Sequence, residues 1–177
     1  SSDVLNALDW VLSIVETHAV VAVNLSLGAD EDPGACRDVA WEAAVAALAD
    51  AGVAVVAASG NSADDGLLPV AFPACLPGVV SVGATERSPG TGLAAGAAPE
   101  LADFTQCAGV LDLVAPGVDI RSADTPGSGF VSLDGTSMAA PHVAGAFALL
   151  AGTQTAWGPD RFTELLRTTG VMVERFT

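Results

Sequence analysis

The 177 residues amount to one domain's worth of chain, enough for a single sizeable core. Six basic residues, all arginine, stand against 21 acidic ones, and the formal net charge of −15 argues against nucleic acid and anionic membrane surfaces as partners. A hydrophobic fraction of 51% suits a sheet buried on both faces by helices, so parallel α/β is the first expectation.

Two apolar runs approach the length of a membrane span. Residues 43–59 are interrupted by Asp50 and Gly52, and residues 139–150 contain Pro141 and His142, so both read as parts of a water-soluble fold. The opening SSDVLNALDW has no Met, basic n-region or cleavage-type apolar stretch, which predicts no signal peptide and a chain that begins inside a longer protein.

In chain order, Leu5, Leu8, Val11, Leu12 and Val15 fall at helical spacing, predicting a helix over 4–15 with Asp3 as its N-terminal cap. The β-branched run 19–25 predicts a buried strand, closed by Ser26-Leu27-Gly28 and the acidic loop Asp30-Glu31-Asp32-Pro33-Gly34. A helix over 36–51, stopped by Gly52, leads to a strand over 53–57. The order α, β, α, β calls for parallel strands joined by right-handed crossovers.

A strand over 79–84 precedes a loop over 88–99 rich in Gly, Ala and Pro. A strand over 111–115 follows, then a hairpin over 120–133 turning at Pro126-Gly127. Helices are predicted over 136–150 and 159–169, Pro159 being tolerated in a first turn. No internal repeat or linker divides the chain, which reads as one partial domain over 1–177.

Chemistry concentrates in Asp134-Gly135-Thr136-Ser137 and the residues after it. A glycine lets the chain turn sharply from strand to helix, and a serine in the helix's first turn has unpaired backbone N–H groups and the helix dipole beside its oxygen. Such donors stabilise an oxyanion forming next to that serine. An ordinary capped helix uses the same residue types. Pro141 falls near the helix start, where a missing N–H costs little. There is no lysine, which excludes a P-loop, and no GxGxxG. Asn61 follows a buried strand, where its carboxamide can donate to developing negative charge, but Gly60-Asn61-Ser62 is strong turn chemistry and the residues alone favour the turn.

The run GTSMAAPHVAG resembles the serine-nucleophile signature of the subtilase family at all eleven of its positions. NLSLG at 24–28 looks like that family's substrate-binding strand, VVAASGN at 55–61 like its oxyanion segment, and LDLVAPG at 111–117 like the strand and turn before the nucleophile hairpin. The resemblance covers essentially the whole chain. It implies a three-layer α/β domain, a mainly parallel sheet with helices on both faces, from which N-terminal elements are missing. It implies serine endopeptidase chemistry, with Ser137 as the catalytic serine, Asn61 as the side-chain oxyanion donor and no cofactor required.

Further implications concern the cleft. The backbone of Ser26, Leu27 and Gly28 would pair with a polypeptide substrate as an added strand, Ala58, Ser59 and Gly60 would form one wall of the primary pocket, and Ala71 would lie at its base and admit an apolar P1 side chain. The proteinase-K-like branch of the family implies a structural calcium ion held by the Asp112 carboxylate and the Pro77 and Val79 carbonyls. Secreted bacterial members imply a Cys36–Cys75 disulfide, with Cys107 free, and an extracellular location.

The departure from the family lies in its Asp and His motifs, neither of which occurs. Only His18 and His142 are present. His142, five positions after Ser137, stands roughly 500° around a helix and about 7.5 Å along it, out of reach of the serine oxygen. His18 reads as a helix-end residue. The expectation is therefore the nucleophile half of a catalytic domain, whose partner is the missing N-terminal half. A non-catalytic subtilase-fold binding module and a structural fragment are the alternatives.

Overall fold

The structure is a computed structural model that describes residues 2–29, 36–63, 68–86, 99–107, 109, 111–125, 129–154, 156–171 and 173. The acidic loop, the turn at Pro126-Gly127 and nearly all of the predicted loop over 88–99 lie outside these residues.

Helix α1 (Ser2–Ile14) leads to strand β1 (Ala22–Leu25), helix α2 (Val39–Asp50) and strands β2 (Ala54–Ala58), β3 (Val79–Thr85) and β4 (Leu113–Pro116). A hairpin of β5 (Ile120–Ala123) and β6 (Phe130–Leu133) precedes helices α3 (Thr136–Thr153) and α4 (Pro159–Thr169). The four strands β1 to β4 form one parallel sheet in chain order, and β5 pairs antiparallel with β6.

Strand side chains alternate between faces, and β2 shows where each goes. Ala54, Val56 and Ala58 join Val80, Val82 and Ala84 of β3 against Ala139, Ala140, Val143 and Phe147 of α3 and Phe162 of α4. Val53, Val55 and Ala57 instead meet Leu8 of α1 and Trp41, Val45 and Leu48 of α2. Every residue of β2 and β3 is buried, which explains the wholly apolar run of β2; β3 also buries Ser81 and Thr85. The predicted three-layer arrangement is the observed one. The core is closed by edge-to-face ring contacts, Phe147 on Phe162 at 5.8 Å and Trp41 on Phe72 at 5.0 Å.

Several boundaries differ from the sequence reading. Helix α1 already includes Ser2, so Asp3 lies inside its first turn, where its charge complements the dipole without capping. Helix α2 starts at Val39 because the Asp38 carboxylate accepts from Ala40 N (2.9 Å) and Trp41 N (3.2 Å). Gly52, at φ 81°, stops that helix as predicted. Cys36 and Cys75 are joined in a disulfide, with Cα atoms 5.8 Å apart across 39 residues, and Cys107 is free and part-buried.

Among the described residues no helix is long and apolar enough to cross a membrane. The sheet ends at β1 and β4, and the α3 face formed by Pro141, His142, Gly145, Ala148, Leu149 and Gly152 is exposed, Leu149 by 77%.

Candidate active site

Ser137 stands in the first turn of α3, reached from β6 through Gly135. Gly135 adopts φ 148°, a region side chains disfavour, and a Cβ there would sit 3.2 Å from Asn61 Nδ2. Glycine thus permits both the turn and the approach of the carboxamide.

The first-turn amides divide unequally. Thr136 N donates to Asn61 Oδ1 (2.9 Å), and Met138 N donates to Gly135 O (3.0 Å). Among the described residues nothing accepts from the Ser137 N–H. The Thr136 hydroxyl also donates to Asn61 Oδ1, at 2.8 Å, and accepts from Gly60 N at 3.2 Å. With Oδ1 holding two donors, the free end of the carboxamide is the donor Nδ2. Ser137 N–H and Asn61 Nδ2 are therefore two donors left unspent at one site, the electrostatic equipment an oxyanion requires.

These two residues line a pocket of about 260 Å³ with Leu27, Gly28, Ala58, Gly60, Ser62, Ala71 and Thr136. That volume lies just below the roughly 300–1,000 Å³ of small-molecule sites. Leu27, Gly28, Ala58, Gly60 and Ala71, named above as what the resemblance implies for the cleft, all line this one pocket. Ser26 and Ser59 are not in the lining. The Ser26 hydroxyl turns to the Ser137 carbonyl (2.6 Å), while the fully buried Ser59 hydroxyl has no hydrogen-bond partner among the described residues. Ser59 contributes through its backbone, accepting from Ala71 N at 2.8 Å.

Two residues not singled out from the sequence hold the pocket in place. Thr136, fully buried, ties the Gly60-Asn61 loop to α3. Gln106, 3% exposed, makes three bonds to two segments: its Nε2 donates to Pro69 O (2.8 Å), its Oε1 accepts from Ser62 N (3.2 Å), and its backbone N donates to Gly60 O (3.1 Å). A Cβ at Gly60, where φ is 108°, would overlap the Gln106 side chain. Thr136 sits beside Ser137 and was legible as a neighbour. Gln106 carried no local signal, because its partners are 37 and 44 residues away.

Neither histidine is bonded to Ser137. His18 is exposed, with Nδ1 2.9 Å from the Thr17 hydroxyl and its backbone N on Ile14 O. His142 donates from Nδ1 to Met138 O at 2.8 Å, as a residue of the helix itself. The Ser137 hydroxyl instead donates to Ser26 O at 3.4 Å.

Asp112 accepts on Oδ2 from Ser81 N (3.0 Å) and Ser81 Oγ (2.9 Å), and its Oδ1 faces Arg167 at 4.0 Å. Pro77 and Val79, whose carbonyls the family resemblance sets beside this carboxylate for calcium, stand at the entry to β3.

The subtilase family model matches residues 1–175. The chain belongs to the subtilase family. Subtilisin BL of Lederbergia lenta is 37% identical over 168 residues, covering 95% of this chain and 54% of that protein. Subtilisin E of Bacillus subtilis (strain 168) is 32% identical over 167 residues, 94% of this chain and 39% of that protein. The solved structure of a cold adapted subtilisin-like serine proteinase superposes with a TM-score of 0.73 at 32% identity, over 94% of this chain and 54% of that one. The Prenylagaramide maturation protease PagA gives a TM-score of 0.78 at 27% identity, over 97% and 58%. This subtilase chain thus spans about half the length of such relatives.

Proposed function

We propose that this chain is the nucleophile and oxyanion half of a serine endopeptidase domain, and that the complete domain hydrolyses peptide bonds through an acyl-enzyme on Ser137. The observation that carries the reading is the pairing of Asn61 Oδ1 with Thr136, which leaves Nδ2 and the Ser137 N–H as unspent donors beside the Ser137 hydroxyl.

A polypeptide substrate pairs with the backbone of Ser26, Leu27 and Gly28 as an added strand, and an apolar P1 side chain enters the pocket over Ala71. Ser137 Oγ attacks the scissile carbonyl carbon and loses its proton to a base. The carbonyl oxygen becomes an oxyanion held by Ser137 N–H and Asn61 Nδ2. Collapse expels the amine, which takes the proton, and leaves the acyl-enzyme; water, deprotonated by the same base, then releases the acid.

That base and its orienting carboxylate come from a further segment, since His142 is engaged on its own helix and His18 on Thr17. The open edges of the sheet and the exposed face of α3 are surfaces such a segment would cover. The chemistry uses no cofactor. The Cys36–Cys75 disulfide supports secretion, because such bonds persist in oxidising compartments.

The decisive experiment treats the complete enzyme with a serine-directed phosphonate. Labelling of Ser137, with activity abolished by Ser137→Ala, is the expected result; an active preparation labelled elsewhere overturns the assignment.

A further inference from the structure

Pro141 is the sixth residue of α3, beyond the turn in which a helix lacks internal N–H partners. The sequence reading that its missing N–H costs little there is therefore corrected. An ordinary residue at 141 would donate to the carbonyl four positions earlier, that of Ser137; proline cannot, and its ring pushes that carbonyl outward.

The freed Ser137 carbonyl accepts from Ser26 Oγ at 2.6 Å, across 111 residues. Ser26 Oγ in turn accepts from Asn24 Nδ2 at 2.9 Å, which directs its single hydrogen to Ser137. On its other side the nucleophile is held by Thr136 N on Asn61 Oδ1. The backbone frame from which both the Ser137 hydroxyl and the Ser137 N–H project is thus fixed at two ends by side chains outside α3.

We propose that the Ser26 hydroxyl is a positioning residue for Ser137, supplying the donor that Pro141 removes and tying the nucleophile to the segment that pairs with substrate. The proposal rests on the reading of Ser137 as nucleophile. Ser26 belongs to that segment through its main chain, so one residue sets the distance between the attacking oxygen and the bound backbone, which is where small displacements are costly.

The test is a cycle of four complete enzymes: wild type, Ser26→Ala, Pro141→Ala and the double variant. Ser26→Ala lowers kcat about 10-fold with KM changed less than about twofold, since the backbone that binds substrate is intact. In the Pro141→Ala background the Ala N–H takes the Ser137 carbonyl, and Ser26→Ala then costs at most about twofold. Ser26→Thr, which keeps the hydroxyl, recovers most of the lost rate.

An equal loss in both backgrounds, or a loss confined to KM, overturns the proposal. Thermal unfolding of the same four proteins reads the contact without catalysis, and additive Tm changes also overturn it. A wild-type enzyme whose Ser137 resists a phosphonate sinks the nucleophile reading while the unfolding cycle still decides on the contact.

Discussion

The Thr136 backbone N–H and hydroxyl both donate to one atom, Asn61 Oδ1, at 2.9 and 2.8 Å. A carboxamide has one acceptor end and one donor end, so fixing the acceptor decides what the donor can do. The turn reading and the oxyanion reading of Asn61 are thereby compatible: the turn delivers the side chain, and Thr136 orients it.

Asn61→Ala in the complete enzyme is expected to lower kcat by about 10² to 10³ with little change in KM, because the lost donor acts on the transition state. Thr136→Val, which removes the hydroxyl and keeps the shape, is expected to lower kcat about 10-fold, and Thr136→Ser to restore it. In the double variant the two losses are less than additive, since Thr136 acts through Asn61. Steady-state kinetics check both; a purely structural Asn61 predicts an unchanged kcat.

Gln106→Leu removes the side-chain bonds to Ser62 N and Pro69 O, each worth about 0.5–1.5 kcal/mol net at these part-buried positions. The expected outcome is a lower unfolding midpoint in denaturant together with a raised KM for substrates with large P1 residues. Gly60→Ala is expected to be worse, because it combines a disfavoured φ of 108° with overlap on Gln106.

The Cys36–Cys75 bond closes a loop of 39 residues, for which the chain-entropy account gives about 4 kcal/mol of stabilisation. Replacing both cysteines by serine is expected to lower the Tm of the complete enzyme while leaving kcat near its original value, since neither residue lines the pocket. A thermal scan and an activity assay on the same preparation check this.

The 177 residues alone are expected to show no peptide turnover above background, because a serine hydroxyl without its base is a weak nucleophile and the members of such a triad act as a unit. Supplying the rest of the catalytic domain as a separate polypeptide is expected to restore activity where the two assemble. Cleavage by the isolated chain, abolished by Ser137→Ala, would require a base within it, and His18→Ala would be the next variant to assay.

Much of this molecule was legible from local pattern. The unbroken apolar run over 53–57 and the Val-rich run over 79–84 mark strands, helical spacing marks α1 and α4, and Gly135 followed by Thr136-Ser137 marks a sharp strand-to-helix turn. These features depend on periodicity and backbone sterics, which neighbouring residues fix among themselves. The start of α2 at Val39 was missed because only the observed contacts of the Asp38 carboxylate select that residue as the cap.

Other facts arise only when distant segments meet. Which end of Asn61 faces the helix depends on Thr136, 75 residues away; the work of Gln106 depends on Pro69 and Ser62; and the cost of Pro141 depends on Ser26, 111 residues earlier. Hydrogen-bond partners are chosen by proximity in space, and sequence separation carries no record of it. The types of group available at the site were therefore set by the sequence, whereas which donors are spent and which stay free was decided by the packing of α3 against the loops after β1 and β2.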